Sequence, residues 1–168
     1  MRIITSIFLV IGISVIMTSC RISYSMSGAN TGTLKTVSVS YFQNRAALAP
    51  PTLSQYFTDE LRDLCVKQTN MELVSGMGDA NFEGEITVYS TRPMAISGDE
   101  QAELTRFTIG IKVRYTNAID DELSFEESFS QYRDYESKQN FESVQTDLST
   151  EILEEISEDI FNRAFVNW

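Results

Sequence analysis

Histidine is missing from all 168 residues. With it go Ser-His-Asp and Cys-His nucleophilic systems, histidine-based zinc sites and imidazole acid–base work. Cysteine is nearly missing too, with Cys20 and Cys65 the two in the chain. Basic residues are scarce, 13 against 24 acidic, which disfavours attraction to nucleic acid or to anionic membrane surfaces through bulk charge. The glycines of "SGMGD" (residues 75–79) lead into a strand pattern rather than a helix, so they do not form a phosphate-cradling loop. Acids do cluster, at Asp120–Asp121, at Glu126–Glu127 and along the last forty residues. A glycosidase needs two converging carboxyls, one with a raised pKa, whereas acids spaced along one side of a helix are the ordinary solvated pattern. The expectation is a protein that is not an enzyme and that uses no metal or cofactor.

Long apolar runs are also lacking, with one exception. After Met1 and Arg2, the stretch from Ile3 to Met17 is almost wholly aliphatic, broken by Thr5, Ser6, Gly12 and Ser14. A positive start, a short apolar region and small residues at the break are the pattern of a secretory signal, too short for a comfortable membrane span. Cys20 follows directly after Thr18–Ser19, an arrangement that resembles a bacterial lipoprotein signal, with Met17 where leucine is more usual. Cys20 would then be the first mature residue, carrying acyl chains such as palmitate. At roughly 0.8 kcal/mol per buried methylene, several chains together hold a protein on a membrane. Removing residues 1–19 takes away one basic residue, Arg2, and no acid, which leaves a side-chain balance of −12. Cys65 cannot then pair internally, and an unpaired thiol is best tolerated in a core.

The expected organisation is a signal over residues 1–19, a lipid-anchored tether over 20–34 and one α+β domain over 35–168. The tether, "RISYSMSGANTGTL", is rich in small polar residues and has little periodicity. "KTVSVSYF" alternates, which predicts a strand over 35–42 with Val37, Val39 and Tyr41 facing one way. Pro50–Pro51 close an extended loop. A helix follows, with Leu53, Phe57, Leu61 and Leu64 on one face and Thr52 with Gln55 as a capping box. "MELVS" is a short strand. Three antiparallel strands come next. The first puts Phe82, Ile86 and Val88 on one face and Glu83, Glu85, Thr87 and Tyr89 on the other. In the second, Phe107, Ile109, Ile111, Val113 and Tyr115 face one way and Arg106, Thr108, Gly110, Lys112 and Arg114 the other. The third is more polar, with Phe125 and Phe129 on one side. The last helix, over 142–166, carries a stripe of Val144, Leu148, Ile152, Ile156 and Ile160, with Asp147, Glu151, Glu154, Glu155, Glu158 and Asp159 facing water. The order is β-α-β-β-β-β-α, a small mixed sheet with two helices packed on one face.

That arrangement leaves the other sheet face uncovered, and candidate contacts lie there. Arg106, Lys112 and Arg114 form a basic stripe on an acidic protein. The stripe has two readings: cross-strand ion pairs with Glu83, Glu85, Glu126 and Glu127, or a surface for an anionic ligand such as lipid phosphates. Arg92 falls on the apolar register of its strand. Tyr89, with Tyr132 and Tyr135, offers apolar area with a polar tip, a feature suited to an interface. The candidate set for lipopolysaccharide or partner contact is Arg106, Lys112, Arg114 and Tyr89, with Cys20 as the lipidation site.

Several stretches together resemble the LptE-like lipoproteins of Bacteroidetes-type bacteria. They are the cysteine with "YSMSGAN", then "KTVSVSYFQNRAALAPPTLSQYFTDELRD", "FEGEITVYSTRPMAISGDEQAELTRFTIGIKVRYTN" and "DIFNRAFVNW". The resemblance implies an outer-membrane lipoprotein that assists lipopolysaccharide assembly, as plug and partner of the large β-barrel LptD. It also implies helices packed on one side of a small sheet. Direct handling of lipopolysaccharide is possible in that family. Surface-exported lipoproteins of these bacteria carry acids just after the cysteine; Arg21 to Ser25 contain none, which implies the periplasmic leaflet of the outer membrane. The competing expectation is a lipid-anchored module that binds an amphiphile or another envelope protein without a barrel.

Overall fold

A computed structural model of the chain describes residues 31–94 and 103–166. The expected signal, Cys20 and most of the tether lie outside these residues. The elements are β1 (Thr36–Val39), β2 (Gln43–Asn44), α1 (Thr52–Gln68), β3 (Glu72–Leu73), β4 (Ala80–Met94), β5 (Leu104–Asn117), a 3-10 turn (Asp121–Leu123), β6 (Phe125–Glu136) and α2 (Phe141–Phe165). They make an α+β fold with one mixed sheet. Its order is β3-β1-β4-β5-β6, with β2 also pairing β4. β1 runs parallel to β3 and β4, while β4, β5 and β6 form an antiparallel meander. Among the described residues no helix is long and apolar enough to cross a membrane.

The core lies between the sheet and the two helices. β5 supplies its centre: Phe107, Ile109, Ile111, Val113 and Tyr115 are all fully buried, as their alternation predicts. From α1 come Leu53, Phe57, Leu61, Leu64 and Cys65, and from α2 Ile152, Leu153, Ile156, Ile160, Phe161 and Phe165. Full burial of each such side chain is worth about 1.5–3 kcal/mol. Aromatic rings seal both ends of this layer. Phe82, Tyr115 and Phe165 meet at centroid distances of 4.8 to 5.8 Å at one end, and Tyr89, Phe107 and Phe141 at 4.8 to 6.3 Å at the other. Burial pushes the Cys65 thiol and the Tyr115 phenol up to about 12. The upper stripe residues of α2, Val144 and Leu148, are only half-buried.

Two inserted residues break the expected alternation. Between Val39, opposite Phe82, and Gln43, opposite Glu85, the first chain holds one residue more than β4 does. The side-chain phase slips there, so Phe42 is buried and Tyr41 is 55% exposed, the reverse of the sequence expectation. Helix side chains satisfy the displaced backbone. Thr58 Oγ accepts from the Phe42 amide at 3.1 Å, and Arg62 donates twice to the Val39 carbonyl. Phe42 then lies over Gly84, where a Cβ would overlap the Lys112 carbonyl and press within 2.7 Å of the Phe42 ring. The second insertion is Thr87, a bulge between the pairs Ile86–Ile111 and Val88–Gly110. The expected capping box at Thr52 does not form: α1 begins at Pro51 without a side-chain cap. Asn140 does cap α2, accepting from the Glu142 amide.

Candidate functional site

The sheet face away from the helices is open, and its two ends differ in chemistry. Toward the start of β4, Glu83 and Glu85 stand opposite Arg114 and Lys112 of β5, and Glu126 of β6 stands opposite Arg114 on its other side. Arg114 donates to Glu83 at 3.0 Å and to Glu126 at 2.9 Å, and Lys112 pairs with the other Glu126 oxygen. Glu85 pairs with Arg45 just beyond β2. Hydrogen bonds from Lys112 and then Arg114 hold the Glu126 carboxyl below its usual range. A shallow depression lined by Ser40, Tyr41, Lys112 and Arg114 sits over this network. Cross-strand pairing is therefore the arrangement adopted by Lys112 and Arg114.

Toward the far end of the meander, Arg106 makes a bidentate contact with Asp134, both bonds 2.8 Å, and its guanidinium lies 3.6 Å from the centre of the Tyr132 ring. Val88 and Tyr132 are 38% and 46% exposed there, an apolar element on an otherwise polar face. The bulge at Thr87 decides which neighbours they have. Beyond it Val88, Ser90 and Arg92 turn to the open face, and Arg92 stands directly opposite Arg106. Arg92 has no ion-pair partner among the described residues, although Arg106 does.

These positions correct two readings of the strand. Tyr89 does not belong to the open face. It is 8% exposed, packs edge-on against Phe107, and its hydroxyl lies 3.4 Å from Gln145 Oε1 of α2. Arg92, assigned by strict alternation to the apolar side, is instead on the open face, a cation with no ion-pair partner among the described residues. The alternation from Phe82 onward gives no warning, because a bulge residue such as Thr87 carries no local signature. Glu127 also leaves the set, since it faces the helices and pairs with Arg163 at 2.8 Å.

On the helix side, β6 and α2 are laced together by polar contacts. Glu127 meets Arg163, Gln131 meets Asp159 at 2.8 Å, and Arg133 meets Glu151 and Glu155, both at 2.9 Å. Acids expected to face water are thus partly used to clamp the sheet's outer strand. Among the described residues no group of three His, Cys, Asp or Glu side chains is placed to hold a metal ion.

A family model described as LptE, lipopolysaccharide-assembly, matches residues 34–164. Similar solved structures include lipoprotein B from Nitrosomonas europaea, with a TM-score of 0.56 and 11% identity over 86% of this chain and 88% of that one. A hypothetical protein from Chlamydia trachomatis gives 0.54 and 13%, over 80% and 99%. A protein from Xanthomonas campestris gives 0.53 and 9%, over 79% and 87%. At such identities the likeness is one of fold alone. No curated protein matches the chain.

Proposed function

Since this chain belongs to the LptE family of lipopolysaccharide-assembly proteins, we propose that it is an outer-membrane lipoprotein that partners and plugs an LptD-type β-barrel, rather than an enzyme. Cys20 carries the lipid after removal of residues 1–19, and the periplasmic leaflet holds the anchor. The observation that carries the plug reading is the open sheet face. Its lower charges are matched in pairs, Arg114 with Glu83 and Glu126 and Lys112 with Glu126, so little unmatched charge is desolvated when a wall closes over it. A barrel lumen is polar and suits such a face better than lipid tails do.

The proportions support the same reading. β4 has 15 residues, and at about 3.3 Å per residue it runs roughly 50 Å. The chain enters β1 alongside the start of β4, so Thr36 and Met94 lie toward opposite ends of the sheet. Anionic groups of lipopolysaccharide are better served at the far end of the meander, where Arg92 and Arg106 face each other, than by Lys112 and Arg114, whose charges are already matched.

Photocrosslinkers at Thr108 and Ser130, both on the open face, test the proposal in whole cells. Capture of one barrel protein of the LptD type from both positions is the expected result. Capture of lipid alone would favour an amphiphile-binding module in its place.

A further inference from the structure

The sheet has two long free edges, and they are built differently. β6 forms one edge over its full length, and five of its twelve residues are charged: Glu126, Glu127, Arg133, Asp134 and Glu136. α2 reaches across to it through Arg163, Asp159, Glu151 and Glu155. Charges and covering elements are the usual means of keeping an edge from pairing. The second edge is the far half of β4. β1 and β2 pair with β4 only as far as Ile86. From Val88 to Met94 the strand is paired with β5 on one side, and on the other side no strand pairs with it among the described residues. This stretch, "VYSTRPM", has a single charge, Arg92. Val88, Ser90, Thr91, Arg92 and Pro93 are all exposed. Its protections are the bulge at Thr87 just before it, Arg92 and Pro93 near its end, and among the described residues no element reaches across it as α2 does across β6.

Resting on the barrel-partner reading above, we infer that this edge takes up an extended segment of the partner as an added strand, with a carboxylate set beside Arg92. Alternate residues of an edge strand offer N–H and C=O outward, so main-chain hydrogen bonds supply the register and the side chains supply selectivity. The charge follows from the arginines. Arg92 and Arg106 stand opposite each other, Asp134 neutralises only Arg106, and among the described residues no acid pairs with the second guanidinium. A closed barrel wall has no free edge to give, so the segment is a loop or terminal extension of the barrel lying inside it.

The test is amide hydrogen exchange on the full-length protein, alone and in the complex purified with its barrel. The inference predicts that amides within residues 88–94 slow at least tenfold in the complex, while those of β6 do not change. Arg92→Glu should reduce barrel recovery about tenfold without lowering the melting temperature of the isolated protein, since a carboxylate at position 92 would face Arg106. Fast exchange over 88–94 in the complex overturns the inference. Protection already present in the isolated chain also does so: residues 20–30 folding back would protect a monomer, and a second copy would protect in a concentration-dependent way. Full barrel recovery with Arg92→Glu overturns the charge assignment. If no barrel is recovered with the wild-type chain, the functional reading itself fails and this inference falls with it.

Discussion

The two halves of β4 are one strand in two environments. From Ala80 to Ile86 it has strands on both sides and helices over one face, and Ala80, Phe82 and Ile86 are at most 1% exposed. From Val88 to Met94 it keeps one neighbour, and its single buried side chain is Tyr89. The bulge at Thr87 is the seam between them. Below it the strand is committed to the core, and above it the strand pairs with β5 alone among the described residues. The lesson is that a strand's alternation identifies a buried face only as far as its pairing is regular.

The sharpest way to break this contrast is to damage the lower half. Phe82→Ala should cost about 3–5 kcal/mol, because it removes a ring packed on both Tyr115 and Phe165; urea unfolding of the mature domain measures it. Deleting Thr87 attacks the seam itself. It removes the extra residue but leaves the pairs Ile86–Ile111, Val88–Gly110 and Tyr89–Ile109 consecutive, so Val88 should stay outward and Tyr89 inward. The expected loss is about 1 kcal/mol, for the hydrogen bond that Thr87 donates to the Gly110 carbonyl, with the near-ultraviolet circular dichroism signal retained. Val88→Ala, one residue along, should change stability by less than about 0.5 kcal/mol, since Val88 already faces solvent. A Val88 effect as large as that of Phe82 would abolish the distinction between the halves.

The smallest effects are those of pH. Asp79 receives the Lys35 and Thr36 amides at 2.8 and 3.0 Å, and Glu126 and Asp134 are held by basic side chains. All three carboxyls lie below their usual range when folded. Their contribution is therefore present above the ordinary carboxylate range and lost as pH falls through it. Cys65 and Tyr115 act in the other direction. Their folded values near 12 lie above the ordinary 9.0 and 10.0, so the native state holds protons that the unfolded chain releases. Stability should decline from about pH 9 upward, with Cys65→Ala removing the earlier part of that decline. Thermal melts across pH 3 to 11 check both limbs.

The architecture was legible because its longest signals are regular. β5 alternates without interruption, and the helical stripes of α1 and α2 give their elements to within a residue or so. What escaped were single-residue insertions, at Thr87 and between Val39 and Gln43. Each shifts the side-chain phase by one, and each is set by tertiary partners rather than by local preference: the Phe42 amide goes to Thr58 and the Val39 carbonyl to Arg62, both on α1. The candidate site was legible to the same extent. Arg106, Lys112 and Arg114 share the open face because β5 is regular. Tyr89 and Arg92 exchanged roles because β4 is not.

Purification of the C-terminally tagged full-length protein from detergent-solubilised outer membranes tests the central claim most directly. The account predicts one LptD-type barrel in near-equal amount, with the complex persisting through size exclusion. A monodisperse protein recovered without a barrel would contradict it.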